Sequence, residues 1–137
     1  GLHYNEGIVA PSGNTNLPAG IRPDYPSNFF TPMLNRGYTP FGGTKVCFTE
    51  LGYLSAEGMG SAIPGAFGWA ANVTVAQQAA WLAEAAAASA QSGKVRMMIV
   101  WNVNFSRWDS DPMGGYAIMR PDGSCPACAT LGAAMGG

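Results

Sequence analysis

The sequence predicts an α/β chain built on parallel strands, and three observations carry that prediction. Residues 45–50 and 95–101 are short runs of apolar and β-branched residues, the pattern of strands covered on both faces. Between them, residues 74–92 form a long alanine-rich segment with helical spacing of its apolar positions. Strand, long helix and strand joined by tight turns make a βαβ unit, with parallel strands and a right-handed crossover.

In chain order, residues 1–9 read as the end of a strand followed by a loop. Residues 10–26 are rich in Pro, Gly, Asn and Ser and read as a loop. A short helix is expected within 24–35, with Phe29, Phe30, Met33 and Leu34 as its buried face, kept short by Pro32. Residues 37–43 turn the chain into the strand 45–50, which ends in Glu50. A glycine-containing loop with Pro64 leads to the long helix. There Thr74 and Gln77 have the form of a capping box, and Val75, Ala79, Leu82 and Ala86 make the buried stripe. Gly93 supplies the stop. The strand 95–101 is followed by a polar loop, a possible short strand at 116–119, a turn at Asp122-Gly123, and a last helix at 127–135.

Composition narrows the function classes. The chain has 137 residues, of which 47% are hydrophobic and 11% charged, with a net charge of −1. That composition excludes a disordered tail and argues against a nucleic-acid binder, which shows a basic face. No apolar run reaches the roughly 18 residues that span a bilayer. Of three cysteines, Cys47 lies in a strand pattern, while Cys125 and Cys128 form a Cys-Pro-Ala-Cys pair. Such a pair reads as a redox couple, half a zinc site or a local disulfide, and no second CxxC or nearby His completes a metal site. A disulfide would favour an oxidising compartment.

In parallel α/β folds the chemistry sits at the C-terminal ends of the strands. Here those ends read His3-Tyr4-Asn5-Glu6, Thr49-Glu50-Leu51-Gly52 and Trp101-Asn102-Val103-Asn104. Alternation along a strand places Glu50 with Phe48 and Val46 on one side and Cys47 with Thr49 on the other, toward the helices. The same parity sets Trp101 above Ile99 and Met97.

The order His-Tyr, then Thr-Glu-Leu-Gly, then Trp on successive strands resembles strands six to eight of the clan A glycoside hydrolases, the cellulase-like and xylosidase-like enzymes. These are (β/α)8 TIM barrels that cleave O-glycosidic bonds with retention. The resemblance covers nearly the whole chain and implies one domain portion over 1–137. A whole barrel needs about 250 residues, so the chain would be the C-terminal part of a longer protein. Its opening Gly1-Leu2-His3-Tyr4, which lacks a Met, fits that expectation, and any export signal would lie upstream.

By the same resemblance, Glu50 is the nucleophile, Tyr4 its hydrogen-bonding partner beside His3, and Trp101 the floor of the central sugar subsite. The family's acid/base Glu follows an Asn at the end of strand four, which would precede Gly1. The Asn5-Glu6 pair follows the strand-six motif and is not assigned that role.

A retaining glycosidase needs one ionised carboxylate to attack and a second, protonated carboxyl to release the leaving oxygen. Asn102, Tyr53 and Trp108 are the polar and aromatic types that line sugar clefts. Trp69, Trp81 and the Phe29-Phe30 pair read as packing. The expected partner is a carbohydrate, with no nucleic acid, no membrane and no cofactor or metal; oligomeric state is left open, and the compartment leans to the cell exterior. The alternatives are a non-catalytic sugar-binding barrel relative and a small independent α/β domain.

Overall fold

The computed structural model describes residues 1–13 and 26–136. The chain is mixed α/β with a three-stranded, all-parallel sheet in the order β1 (Leu2–Tyr4), β2 (Val46–Leu51) and β3 (Val95–Val100). Three helices, α1 (Phe30–Tyr38), α2 (Val75–Ser92) and α3 (Pro126–Ala134), contribute to the core on one side of it.

Helix α2 forms where its cap places it. The Thr74 hydroxyl accepts the Gln77 N–H at 3.1 Å, and the Gln77 side chain accepts the Thr74 N–H at 2.9 Å. Gly93 closes the helix at φ 65°, a left-handed conformation that favours glycine. Helix α1 starts later than the sequence implies and runs three residues further, through Gly37 and Tyr38. Its start leaves Pro32 in the first turn, where the missing N–H costs no helical bond. Phe30 and Leu34 are its buried residues and Met33 packs at the margin. The part of that expected helix at 24–25, and most of the loop at 10–26, lie outside the described residues.

One core holds the sheet to the helices. Tyr4, Val46, Phe48 and Leu51 from the strands meet Phe30 and Leu34 of α1, Leu82 and Ala85 of α2, and Leu131 of α3. Phe30 stacks on Phe48 with ring centroids 5.5 Å apart. A second, smaller cluster around Leu54, Ala70, Val73 and Tyr116 sits where the strands end, with Trp101 and Trp108 packed against it.

The strand-two parity expected from the sequence is inverted. Val46 and Phe48 point to the helices, not away from them. Between Phe48 and Leu51 the β2–β3 register shifts, and Leu51 returns to the core. One extra residue at such a bulge moves every later side chain to the opposite face. The bulge thereby puts Glu50 on the side away from the helices. For β3 the expected parity holds: Met97 and Ile99 lie on that outer face, 44% and 45% exposed.

The expected strand at 116–119 is instead a 3₁₀ turn, Met113–Tyr116, followed by a bend at Ile118-Met119. That segment still bonds to the chain just after β3. The Ile118 N–H donates to the Asn102 carbonyl at 3.0 Å, and the Met119 N–H to that of Val103 at 2.8 Å. Cys125 and Cys128 are joined by a disulfide at the start of α3.

Candidate functional site

Glu50 lies at the C-terminal end of the central strand, opposite His3 in the β1–β2 register. Asn5 Nδ2 donates to Glu50 Oε2 at 2.9 Å, and His3 Nδ1 stands 3.4 Å from the same oxygen. His3 and Asn5 are two apart, so alternation brings both to the face that carries Glu50. The carboxylate side chain is 28% exposed. Among the described residues, Oε1 accepts no hydrogen bond.

Asn5 is in turn fixed by its backbone. The Tyr116 hydroxyl donates to the Asn5 carbonyl at 2.9 Å. Burial pushes that phenol above its ordinary range, and the charges of Glu6 and Asp111 add to the shift. Tyr116 therefore stays a neutral O–H donor through neutral and mildly alkaline pH.

Close approach of backbones joins the strand ends that carry Glu50 and Trp101. The Trp101 N–H donates to the Leu51 carbonyl at 2.8 Å, and the Gly52 N–H to that of Tyr4 at 3.0 Å. A Cβ on Gly52 would meet the Trp101 carbonyl oxygen at 2.0 Å, so only glycine fits there. The Trp101 ring is partly exposed, and Phe105 lies 6.3 Å away at 32° between planes. The Trp101–Asn102 peptide bond is cis.

Three residues expected at the site have other work. Tyr4 is fully buried, on the helix side of β1, with its hydroxyl 3.5 Å from the Asn28 carbonyl. It packs edge-on against Phe30 and Tyr53, and burial pushes its hydroxyl up to about 12. It is a neighbour of His3 in sequence and on the opposite face in space, so it is not the partner of Glu50. Tyr53 is also fully buried, edge-on to Trp81 at 5.2 Å and to Tyr4 at 5.7 Å. Burial raises its hydroxyl far above the phenol range. Asn102 is 7% exposed and its amide is spent on the loop: Nδ2 donates to the Met113 carbonyl and Oδ1 accepts the Phe105 N–H, both at 2.9 Å.

The structure thus brings His3, Glu50 and Trp101 to adjoining strand ends. Trp108 stands further along, its indole N–H donating to Ser61 Oγ at 2.9 Å. Asn5 and Tyr116 are the site residues that sequence reasoning missed. The signal for Asn5 was its i+2 spacing from His3. Nothing local marked Tyr116, which comes from 111 residues away. Glu6 is exposed and accepts a bond from Ser27 Oγ. Glu57 accepts the Val75 N–H at the start of α2, a structural duty.

Arg120 ties the loops that follow β2 and β3. It is 6% exposed, and its guanidinium donates to the carbonyls of Ser55, Glu57, Gly115 and Ala117 at 2.6–3.4 Å. Burial lowers its pKa, against the pull of Glu57 and Asp122. Among the described residues, no three His, Cys, Asp or Glu side chains converge as a metal site, and no helix is long and apolar enough to cross a membrane. Compared with family models, curated proteins and solved structures, the chain matches none.

Proposed function

We propose that this chain is the C-terminal part, about strands six to eight, of a (β/α)8 barrel that hydrolyses O-glycosidic bonds with retention. Glu50 is its nucleophile. The observation that supports this best is the state of the Glu50 carboxylate: Oε2 accepts the Asn5 amide with His3 Nδ1 3.4 Å away, while among the described residues Oε1 accepts no hydrogen bond, at a strand end that adjoins the one carrying Trp101.

In the first step Oε1 attacks the anomeric carbon and the bond to the leaving oxygen breaks. A protonated carboxyl about 5–5.5 Å from Glu50 supplies the proton to that oxygen. Water then cleaves the glycosyl ester, and the same second carboxyl takes up its proton. The hydrogen bond from Asn5 stabilises the departing carboxylate in this second step, with His3 beside the same oxygen. Trp101 offers an apolar face to the C–H side of the sugar ring. The second carboxyl is assigned to the barrel strands upstream of this chain, whose side chains would also cover Met97 and Ile99. The Cys125–Cys128 disulfide suits an exported enzyme.

A binding-only relative is the rival reading. It is favoured by one fact: among the described residues, Glu50 is the one carboxylate tied into the strand-end hydrogen bonds at the site. Product stereochemistry decides between them. The full-length protein that carries this chain, given aryl β-glycosides and followed by proton NMR, is expected to release sugar with the starting anomeric configuration. Binding without release would establish the rival, and inverted product would overturn the double-displacement role of Glu50.

A further inference from the structure

Asn72-Val73-Thr74 has the Asn-x-Ser/Thr form of an N-glycan acceptor, with a residue other than Pro between. We propose that Asn72 carries a covalent N-linked glycan, and that the Trp69 ring, three residues earlier, supports its first sugar. The site is independent of the Glu50 reading.

Asn72 is exposed in the turn between the 3₁₀ segment Gly65–Ala70 and helix α2. The Val73 N–H donates to the Ala70 carbonyl at 3.0 Å, which closes a turn with Asn72 at its third position. Among the described residues, the Asn72 amide makes no hydrogen bond. Turn and helix cap alone would explain an Asn at 72 and a Thr at 74. They leave Trp69 unexplained. It is only partly buried, packed at the margin of the smaller core cluster with the Phe67 ring 6.4 Å away. Trp69 and Asn72 flank one chain reversal, and the C–H face of an N-acetylglucosamine ring is the apolar surface that a half-exposed indole takes.

The disulfide supplies the compartment. Cys128 is exposed, and an exposed Cys125–Cys128 bond suits the oxidising lumen in which glycans are transferred. The donor is an oligosaccharide linked to a lipid through pyrophosphate. Asn72 Nδ2 bonds to the anomeric carbon of the first sugar, the bond from that carbon to the pyrophosphate oxygen breaks, and the amide gives one proton to a base of the transferase. Asn104-Phe105-Ser106 has the same form, but Asn104 lines a cleft of about 370 Å³ that also holds Trp108 and Arg120. A bulky glycan fits the open turn at Asn72 better than that cleft.

The test takes the full-length protein from the cells that make it, digests it with trypsin, and releases glycans with peptide-N-glycosidase in ¹⁸O-water. The peptide Val46–Lys94 holds a single asparagine, Asn72. It is expected as a glycopeptide before release and with an ¹⁸O-labelled Asp at 72 afterwards. The glycan is expected to be lost in Asn72→Gln and kept in Thr74→Ser, which preserves both the acceptor pattern and the cap. An unmodified Val46–Lys94 peptide, or sugar on Asn104 alone, would overturn the assignment. Enzymatic removal of the glycan should lower the melting temperature of the wild-type protein and of Trp69→Phe, but not that of Trp69→Ala. An equal drop in all three would overturn the role of Trp69 and leave the attachment site standing.

Discussion

His3 and Tyr4 are neighbours in the chain and end on opposite faces of one sheet. Tyr4 is sealed among Phe30, Phe48 and Tyr53, while the His3 side chain is 62% exposed and stands beside the carboxylate of Glu50. The same division runs through the other strands. Phe48 is fully buried against the helices, and Ile99 is 45% exposed on the outer face. One face stabilises the fold. The other leaves apolar surface uncovered and carries the polar residues with chemical potential. In a parallel sheet such a face is normally covered. The asymmetry is what the proposed barrel would explain.

The largest effects should separate the two faces. Glu50→Gln is expected to lower turnover by roughly 10³-fold or more, by removing the nucleophile. Its melting temperature should hardly move, since surface substitutions usually change stability by less than about 0.5 kcal/mol. Phe48→Ala should do the reverse and destabilise by about 3–5 kcal/mol in urea unfolding, as a large cavity in the shared core. Ile99→Ala sharpens the contrast. In this chain alone it should cost below about 1 kcal/mol, and in a protein whose outer face is covered about 2–5 kcal/mol. Equal costs in both would break the covered-face account.

Asn5→Ala tests the smaller effect of holding Glu50. Hydrogen bonds to charged groups contribute about 1.5–3 kcal/mol, so kcat/KM should fall roughly 10- to 100-fold. Tyr4→Phe should leave kcat/KM unchanged within about twofold, because its hydroxyl sits on the helix side and surface or core effects there do not reach the reacting atoms.

The buried face has a pH signature of its own. Tyr4, Tyr53 and Tyr116 all have their hydroxyls pushed above the ordinary value of 10.0 by burial. The folded state therefore holds these protons after the unfolded chain has released them. Stability should be flat through neutral pH and fall as pH rises above about 10, where the unfolded state binds fewer protons. Urea midpoints measured from pH 8 to 11 would show it, and Tyr4→Phe should make the decline shallower.

Elements with strong local signals were legible in the sequence. The Thr74–Gln77 box and Gly93 bracket α2, and the β-branched runs mark β2 and β3 to within a residue or two. The parity of β2 was not legible, because the shift between Phe48 and Leu51 arises from pairing with β3, not from any residue type on β2. For the same reason Tyr4 was read as the partner of Glu50 when β1 register gives that place to His3. Tyr53 and Asn102 have side chains suited to a sugar cleft, yet packing against Tyr4 and Trp81 buries one and the loop at 105–113 consumes the other. Residue type alone carries no direction.

The most direct test of the central claim is covalent. The full-length protein is incubated with a 2-deoxy-2-fluoro aryl glycoside, whose slowed second step lets the glycosyl-enzyme accumulate, and is then cleaved with trypsin. The account predicts that the peptide running from Val46 to Lys94 gains the mass of one fluorosugar, with fragment ions placing it on Glu50. Label on another carboxylate, with the Glu50 peptide unmodified, would contradict it.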